Sequence, residues 1–233
     1  MRLAPIVACT TALLCLFAFA AHSNPLSRWQ ISCGVDAGSI AKKGKTYTFK
    51  TSSNQCPGDG PQWKQRAEIY SDRVKPDHMG SYLFSSTISM TTNAQQKWDI
   101  FQIHDGRRSC APPLKVSVLG NGHLELTSDV NTGAGEENCI RGKLSKSRSP
   151  QKQKLNGTTQ KLDVLIEFTG EAGFIATVWL DDKVQLQGTY QPPNTPGAFQ
   201  SKFFYFKHGV YSPERWDYVL VSEDLSVKKV KVK

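Results

Sequence analysis

Short runs of alternating apolar and polar residues recur along the chain, and the spacing typical of amphipathic helices is almost absent. β-Branched and aromatic residues dominate these runs, and clusters of Gly, Pro, Asn and Asp separate them. This pattern predicts an all-β protein built as a two-sheet antiparallel β-sandwich. The predicted strands cover residues 46–51, 65–70, 81–90, 98–104, 114–119, 123–127, 162–169, 174–180, 183–190, 201–211 and 217–222.

The segments between the runs carry turn signals. Asn121-Gly122 and Asp181-Asp182 each predict a tight hairpin turn between two strands. The stretch 142–160 is basic, polar and poor in large apolar residues, so it predicts a mobile loop. Such a loop either borders a binding groove or is simply solvated.

The first 23 residues have the character of a signal peptide, because a basic start precedes the apolar run 12–17 and small residues follow it. A transmembrane helix is the rival interpretation, but the apolar stretch is short and Thr10 and Thr11 interrupt it. We therefore expect residues 1–23 to be removed. Residues 24–233 then form a single secreted domain with no membrane partner.

The chain carries a formal net charge of +9, which predicts attraction to polyanions. Nucleic acid is a common partner of basic proteins, but export makes an acidic polysaccharide the expected partner and nucleic acid an unexpected one. A surplus of charge that only keeps the protein soluble fits the composition equally well. We expect the protein to act as a monomer.

The cysteine content predicts disulfides. Six cysteines are present, and two of them fall within the predicted signal peptide. The remaining even number in an exported chain predicts two bonds, for which three pairings exist. We favour sequence neighbours, Cys33 with Cys56 and Cys110 with Cys139, and the spacings are not those of a zinc site. Asn156 begins an Asn-Gly-Thr glycosylation acceptor if the host is eukaryotic.

Three predicted strands carry functional side chains at alternate positions, which share one face of a strand. The residues are Arg66, Glu68 and Tyr70 on the first strand, Gln102 and His104 on the second, and Tyr205, Lys207, Gly209 and Tyr211 on the third. Each pattern alone is typical of a solvated strand face. Together they predict one groove lined by catalytic side chains.

These residue types suit β-elimination from a uronate. Removal of the C5 proton requires the adjoining carboxylate to be neutralised, because negative charge develops there. We expect Arg66 to bind this carboxylate with two parallel hydrogen bonds and Gln102 to donate a third. His104 or Tyr211 would take the C5 proton, and Tyr211 would protonate the leaving oxygen. Gly209 is expected to leave space for a sugar ring.

Hydrolysis of a glycosidic bond normally needs two carboxyl groups that flank the bond. The three strands supply only Glu68, with no acidic companion expected on the same face. The pattern therefore favours a lyase over a hydrolase. Arg107 and Arg108 follow the second strand and form either a subsite for a second carboxylate or a solvated turn.

Three sequence motifs, QRAEI at 65–69, QIH at 102–104 and YFKHGVY at 205–211, resemble in this order the strands of the jelly-roll alginate lyases and the related glucuronan lyases. They span most of the predicted domain. The resemblance implies a β-jelly roll of the concanavalin A-like type, with a substrate cleft across a concave sheet. It also implies a secreted polysaccharide lyase that leaves C4=C5 unsaturated products from an acidic polysaccharide.

The resemblance also implies roles for individual residues. Arg66 and Gln102 would neutralise the substrate carboxylate, and His104 and Tyr211 would be the base and acid pair, with Tyr211 able to perform both roles. The implied substrate-binding residues are Glu68, Tyr70, Tyr205 and Lys207, of which Glu68 would either hold Arg66 or touch a hydroxyl. No cofactor is required; glucuronan-type members allow a structural calcium ion, for which this sequence shows no ligand set.

The chain departs from the alginate-lyase pattern at several positions. His208 stands where Ala is usual, Ile69 replaces Leu, and residues 212–218 do not follow the usual continuation. These differences slightly favour glucuronan or a similar polyglucuronate over alginate. The alternatives to a lyase are a non-catalytic lectin-like glycan-binding module, a sandwich-fold glycoside hydrolase and a structural wall protein.

Overall fold

The computed structural model describes residues 28–56, 64–75, 80–94, 96–107, 110–133, 138–154, 156–194 and 196–231. The predicted signal peptide, residues 1–23, lies outside these ranges. The described residues form fourteen β-strands in two antiparallel sheets of seven strands each. The predicted all-β, two-sheet fold is therefore confirmed.

We name the two sheets front and back. The front sheet has the order β1 (Gln30–Ile31), β4 (Gln65–Tyr70), β13 (Tyr205–Ser212), β6 (Trp98–His104), β7 (Leu114–Val118), β8 (Leu124–Asn131) and β9 (Cys139–Lys143). The back sheet has the order β12 (Lys183–Tyr190), β11 (Gly173–Leu180), β10 (Gln160–Gly170), β5 (Ser81–Thr92), β14 (Tyr218–Val230), β3 (Thr46–Lys50) and β2 (Ile40–Lys43). The three motif strands β4, β13 and β6 are consecutive neighbours in the front sheet.

Side chains of the front sheet alternate between the core and the outer face. In β13, Phe206, His208 and Val210 are buried between the sheets. Lys207 and Tyr211, at the intervening positions, line a cleft on the outer face. Each large apolar side chain that is fully buried in this way contributes roughly 1.5–3 kcal/mol. Packing of the core thus directs the polar half of each strand outward.

His208 belongs to the core, as its position opposite Lys207 predicts. Its ring nitrogens lie 2.9 Å from the carbonyl oxygen of Ile100 and 2.6 Å from Oγ of Ser222, which is on the back sheet. Burial lowers the pKa of His208 to about 4, against the opposing effect of the bond to Ile100. His208 is therefore neutral at pH 7, and its hydrogen bond with Ser222 joins the two sheets.

The predicted hairpin turns are present. Asp181 and Asp182 adopt φ of 50° and 61° between β11 and β12, as the turns that match the twist of a hairpin require. Between β7 and β8, the amide of Gly122 donates to the carbonyl of Leu119 at 2.7 Å. The stretch 142–160, by contrast, is not a free loop: Ser149 and Gln153 are buried, and their amides donate to backbone carbonyls near β8.

Both favoured disulfides form. Cys33 bonds Cys56, and Cys110 bonds Cys139, with sequence separations of 23 and 29 residues. The first bond ties the segment after β1 to the segment after β3. The second ties the segment after β6 to the start of β9. Loops of this size give each bond roughly 3–4 kcal/mol in the chain-entropy model.

The structure gives Gly209 a different role from the one expected. A Cβ atom at this position would lie 2.1 Å from the carbonyl oxygen of Ala67 and 2.9 Å from Cα of Glu68, and its φ is 134°. The pairing of β13 with β6 is irregular between His208 and Tyr211. Gly209 is therefore needed for the close approach of β13 to β4, and the expectation that it makes room for a sugar ring was wrong.

Replacement of Gly209 by Ala is expected to lower the free energy of unfolding by about 2–4 kcal/mol, because the new methyl group meets backbone atoms that do not yield. The matched control is Gly142→Ala on β9, where the nearest neighbour of an added Cβ is 4.0 Å away. This control should change stability by at most about 0.5 kcal/mol. Thermal unfolding measures both variants, and equal losses would contradict the account.

Candidate active site

The pairing of three adjacent strands brings the motif side chains together. On β13, Tyr211 lies directly across from Arg66 of β4, and Lys207 lies across from Gln102 of β6. Tyr205 of β13 pairs in the same way with His104 of β6. Directly opposed residues have Cβ atoms about 4.5–5.5 Å apart. Residues separated by up to 145 positions in sequence thus form one cluster through the register of the sheet.

A cleft of about 1090 Å³ crosses the outer face of the front sheet above this cluster. Its walls include Arg66, Gln102, His104, Lys207 and Tyr211. Further residues in its walls are Lys64, Lys97, Trp98, Asp99, Cys110, Ala111, Pro112, Lys115, Asp129, Cys139, Arg141 and Pro213. Cations outnumber carboxylates among these residues, so the cleft attracts a negatively charged ligand.

A smaller cavity of about 400 Å³ adjoins the cleft and shares Arg66, His104 and Lys207 with it. Two predicted substrate-binding residues, Tyr70 and Tyr205, lie in this cavity and not in the larger cleft. The cavity is also lined by Ser32, Cys33, Arg73, Gly106 and Phe203. The shared residues therefore stand at the junction of two spaces of different character, one rich in cations and one rich in aromatic rings.

Glu68 lies beneath the cleft, and its side chain is only 1% exposed. One carboxylate oxygen accepts a hydrogen bond of 2.6 Å from Nε2 of Gln102, and the other accepts one of 2.6 Å from Nζ of Lys207. Nε of Arg66 lies 3.4 Å from the second oxygen. Burial lowers the pKa of Lys207, and the charge of Glu68 opposes this effect. Glu68 thus holds three side chains of the cluster, each from a different strand.

Arg66 is enclosed on two further sides. Its Nη1 lies 2.6 Å from Sγ of Cys56 and 3.2 Å from Sγ of Cys33. Its guanidinium carbon lies 5.0 Å from the centre of the Tyr211 ring. The guanidinium is therefore held between the carboxylate of Glu68, a disulfide and an aromatic ring, and its orientation is constrained.

His104 is half-buried and stacks on Tyr205, with ring centres 5.3 Å apart and planes at 13°. Burial, and next the charge of Lys207, lower the pKa of His104 to about 3, while Asp105 opposes this shift. Burial also raises the pKa of Tyr205 to about 12. Both rings are therefore uncharged at neutral pH. Nδ1 of His104 is buried without a hydrogen-bond partner among the described residues.

Asp99 is a residue of the cleft that the sequence pattern missed. Alternation with Phe101 and Ile103 predicts that it faces the core, but the pairing of β6 with β7 is irregular between Asp99 and Phe101. Asp99 therefore lines the cleft, across from Tyr211. Burial raises its pKa, against the opposing charge of Lys115. The expectation of no further acidic residue on this face was wrong.

Arg107 is also placed differently from either expectation. It is buried, and its Nε and Nη2 donate to the carboxylate of Asp105 at 2.9 Å and 2.7 Å. Its Nη2 also donates to the hydroxyl of Tyr190 at 2.8 Å. Arg107 is therefore neither a carboxylate subsite nor a solvated turn, whereas Arg108 lies outside the described residues.

The predicted glycosylation acceptor does not line the cleft. Asn156 is exposed, with φ of 64°, in a turn before β10. Within the described ranges, no group of three or more His, Cys, Asp or Glu side chains is arranged to hold a metal ion. In the same ranges, no helix is long and apolar enough to cross a membrane.

Comparison with known proteins identifies the fold. No protein-family model and no curated sequence matches this chain. Among solved structures, the polysaccharide lyase family 7 alginate lyase AlgAT5 has a TM-score of 0.55 at 14% identity, covering 87% of this chain and 94% of its own. The Klebsiella pneumoniae alginate lyase has a TM-score of 0.55 at 15% identity, covering 88% and 96%. The endo-β-1,4-glucuronan lyase of the fungus Trichoderma reesei has 0.53 at 13%, covering 90% and 93%. The chain thus has the jelly-roll fold of alginate and glucuronan lyases, as its strand motifs led us to expect.

Proposed function

We propose that the protein is a secreted polysaccharide lyase that cleaves a uronate-containing polysaccharide by β-elimination. The observation that carries this proposal is the meeting of Arg66, Gln102, His104 and Tyr211 in one cation-lined cleft. The predicted signal peptide and the two disulfides support an extracellular site of action. The fold shared with alginate and glucuronan lyases supports the same reaction type.

The substrate carboxylate would be neutralised by the donors that Glu68 positions. Nε of Arg66 lies beside Glu68 and Nη1 lies against the disulfide, so Nη2 is the nitrogen placed to donate to a substrate carboxylate, in place of the two parallel bonds expected from the sequence. Gln102 has two amide hydrogens and uses one on Glu68, which leaves the other for the substrate. Donors held before the reaction stabilise the enolate-like charge at little reorganisation cost.

Tyr211 is better suited than His104 to carry out the proton transfers. A pKa of about 3 makes His104 a weak base, because general-base catalysis is most effective when the pKa lies near the working pH. Tyr211 lies beside Arg66, whose charge would stabilise a phenolate. We therefore assign removal of the C5 proton and protonation of the leaving oxygen to Tyr211, and a hydrogen-bonding role to neutral His104.

The positive charges along the cleft suit a polymer with a carboxylate on successive sugars. Lys64, Lys97, Lys115 and Arg141 extend the positive surface beyond the reactive cluster. Lys97 is partly neutralised, because its Nζ lies 2.6 Å from Glu125. The sequence departures from alginate lyases favour a polyglucuronate as the substrate, and the aromatic side cavity would accept sugars on the other side of the cleaved bond.

A glycoside hydrolase is the second candidate, because Asp99 supplies a carboxyl group with a raised pKa in the cleft. A raised pKa suits a general acid. The other carboxylates near the cleft are already engaged. Glu68 is buried and occupied by Gln102 and Lys207. Asp129 is buried and accepts a hydrogen bond from the amide of Ala111. Elimination therefore fits the cleft better than hydrolysis.

The proposal predicts ultraviolet absorbance from a C4=C5 double bond when the protein digests polyglucuronate, polymannuronate, polyguluronate or pectate, with polyglucuronate cleaved fastest. Tyr211→Phe should lower turnover by about 10²–10⁴-fold, because the proton-transfer group is lost. Binding of a uronate oligosaccharide, measured by calorimetry, should be unchanged. Shortening of the polymer without absorbance would indicate a hydrolase, and binding without any product would indicate a glycan-binding module.

The role of Glu68 generates a second prediction. Glu68→Gln removes the charge that balances Arg66 and Lys207, so turnover should fall about 10–100-fold through misplacement of the donors. The matched control is Glu125→Gln on β8, another buried carboxylate that pairs with two lysines, Lys97 and Lys143. Each variant should lose about 1–3 kcal/mol of stability. Equal turnover in the two variants would rule out the positioning role of Glu68.

A further inference from the structure

We propose that the Cys33–Cys56 disulfide is a positioning element of the reactive cluster, which sets the orientation of the Arg66 guanidinium. This inference rests on the proposed function, in which Arg66 is the cation that neutralises the substrate carboxylate. It assigns the bond a role in turnover in addition to its role in stability.

Direct contacts support this role. Nη1 of Arg66 lies 2.6 Å from Sγ of Cys56, 3.2 Å from Sγ of Cys33 and 3.5 Å from the carbonyl oxygen of Cys33. Sulfur is a weak hydrogen-bond acceptor, so the disulfide restricts the guanidinium mainly by occupying the space beside it. A long side chain that is free to change rotamer loses up to about 2 kcal/mol of entropy when it is ordered. A disulfide that is already packed against Arg66 removes part of this entropy cost from substrate binding.

The segments that carry the Cys33–Cys56 disulfide are attached to the strand that carries Arg66. The amide of Ser32, next to Cys33, donates to the carbonyl of Glu68 at 2.9 Å, and Ile31 pairs with Ile69. On the other side, the amide of Asn54 donates to the carbonyl of Lys64 at 3.2 Å. Both cysteines are therefore tied to the strand β4 or to the residue just before it. Movement of the disulfide relative to Arg66 is restricted.

The two segments that carry the cysteines also pack closely against each other. The amide of Gln55 donates to the carbonyl of Gly34 at 3.3 Å. Gly34 has φ of 72°, and a Cβ atom there would lie 2.5 Å from the amide nitrogen of Gln55. The segments on either side of the disulfide therefore pack too closely for any side chain at this position, and together they place both sulfur atoms against Arg66.

The chain contains its own control. Cys110–Cys139 lines the cleft at another place and closes a loop of similar size to that of Cys33–Cys56, with a separation of 29 residues against 23. Cys139 lies on β9, five strands from β4 in the front sheet, or about 24 Å at the usual strand spacing. Removal of either disulfide should therefore cost similar stability, but only removal of Cys33–Cys56 should disturb Arg66.

The experiment is a double-mutant cycle between the disulfide and Arg66. Cys33→Ser/Cys56→Ser should lower kcat/KM by about tenfold or more in the wild-type background. In the Arg66→Lys background, which lacks the guanidinium, the same change should cost roughly twofold or less. Cys110→Ser/Cys139→Ser should change kcat/KM by the same factor in both backgrounds, because this bond does not contact Arg66. All assays are run well below the lowest melting temperature.

Additive losses from the Cys33–Cys56 change in both backgrounds would overturn the proposal, because a purely structural bond acts independently of residue 66. If the serine variant does not fold, mild reduction of the folded protein replaces it, with the opened bond identified by alkylation and mass spectrometry; Cys33 is exposed to a reductant. If the wild type yields no unsaturated product, the proposed function fails. The same cycle measured on the Kd of a uronate oligosaccharide then still decides whether the disulfide positions Arg66.

Discussion

A buried carboxylate determines the geometry of the cleft. Glu68 is shielded from water beneath the floor of the cleft, on the outer face of the front sheet, and a buried charge is stable only when opposite charges and hydrogen-bond donors satisfy it. Its partners, Arg66, Gln102 and Lys207, come from three adjacent strands. Any slip of register between these strands would leave the charge unpaired. The strand register that pairs Glu68 with its partners therefore also fixes the positions of the donors that face the cleft.

The same strands serve stability and chemistry on opposite faces. Apolar side chains and His208 occupy the inner face of β13, and Lys207 and Tyr211 occupy the outer face. Gly209 lies between Lys207 and Tyr211 and allows β13 to approach β4 closely. The cluster is therefore built on the most constrained part of the sheet, and the Cys33–Cys56 bond adds a further constraint from outside it. Rigid support of this kind suits a site that must hold donors in place before charge develops.

Much of this arrangement follows from local sequence pattern. The strands 65–70, 98–104 and 183–190 were predicted with the observed bounds, because apolar and polar residues alternate along much of each strand. The same alternation identified the outward residues of the cluster. The short strands β1, β2 and β9 were missed, because their side chains are mostly exposed and carry little apolar alternation.

Other features depend on contacts that no local pattern shows. Simple alternation along β6 would turn Asp99 toward the core, and the irregular pairing of β6 with β7 places it in the cleft instead. Arg107 has the same sequence character as an exposed basic residue, but Asp105 and Tyr190 bury it. The burial of Glu68 and the contact of Arg66 with the disulfide depend likewise on the assembled sheet. Elimination in this cleft is tested by a brief digestion of polyglucuronate in water enriched in heavy oxygen, stopped before the reducing ends exchange oxygen with the solvent. Elimination should yield unsaturated fragments without heavy oxygen by mass spectrometry, whereas saturated fragments with one labelled oxygen at each new reducing end would show hydrolysis.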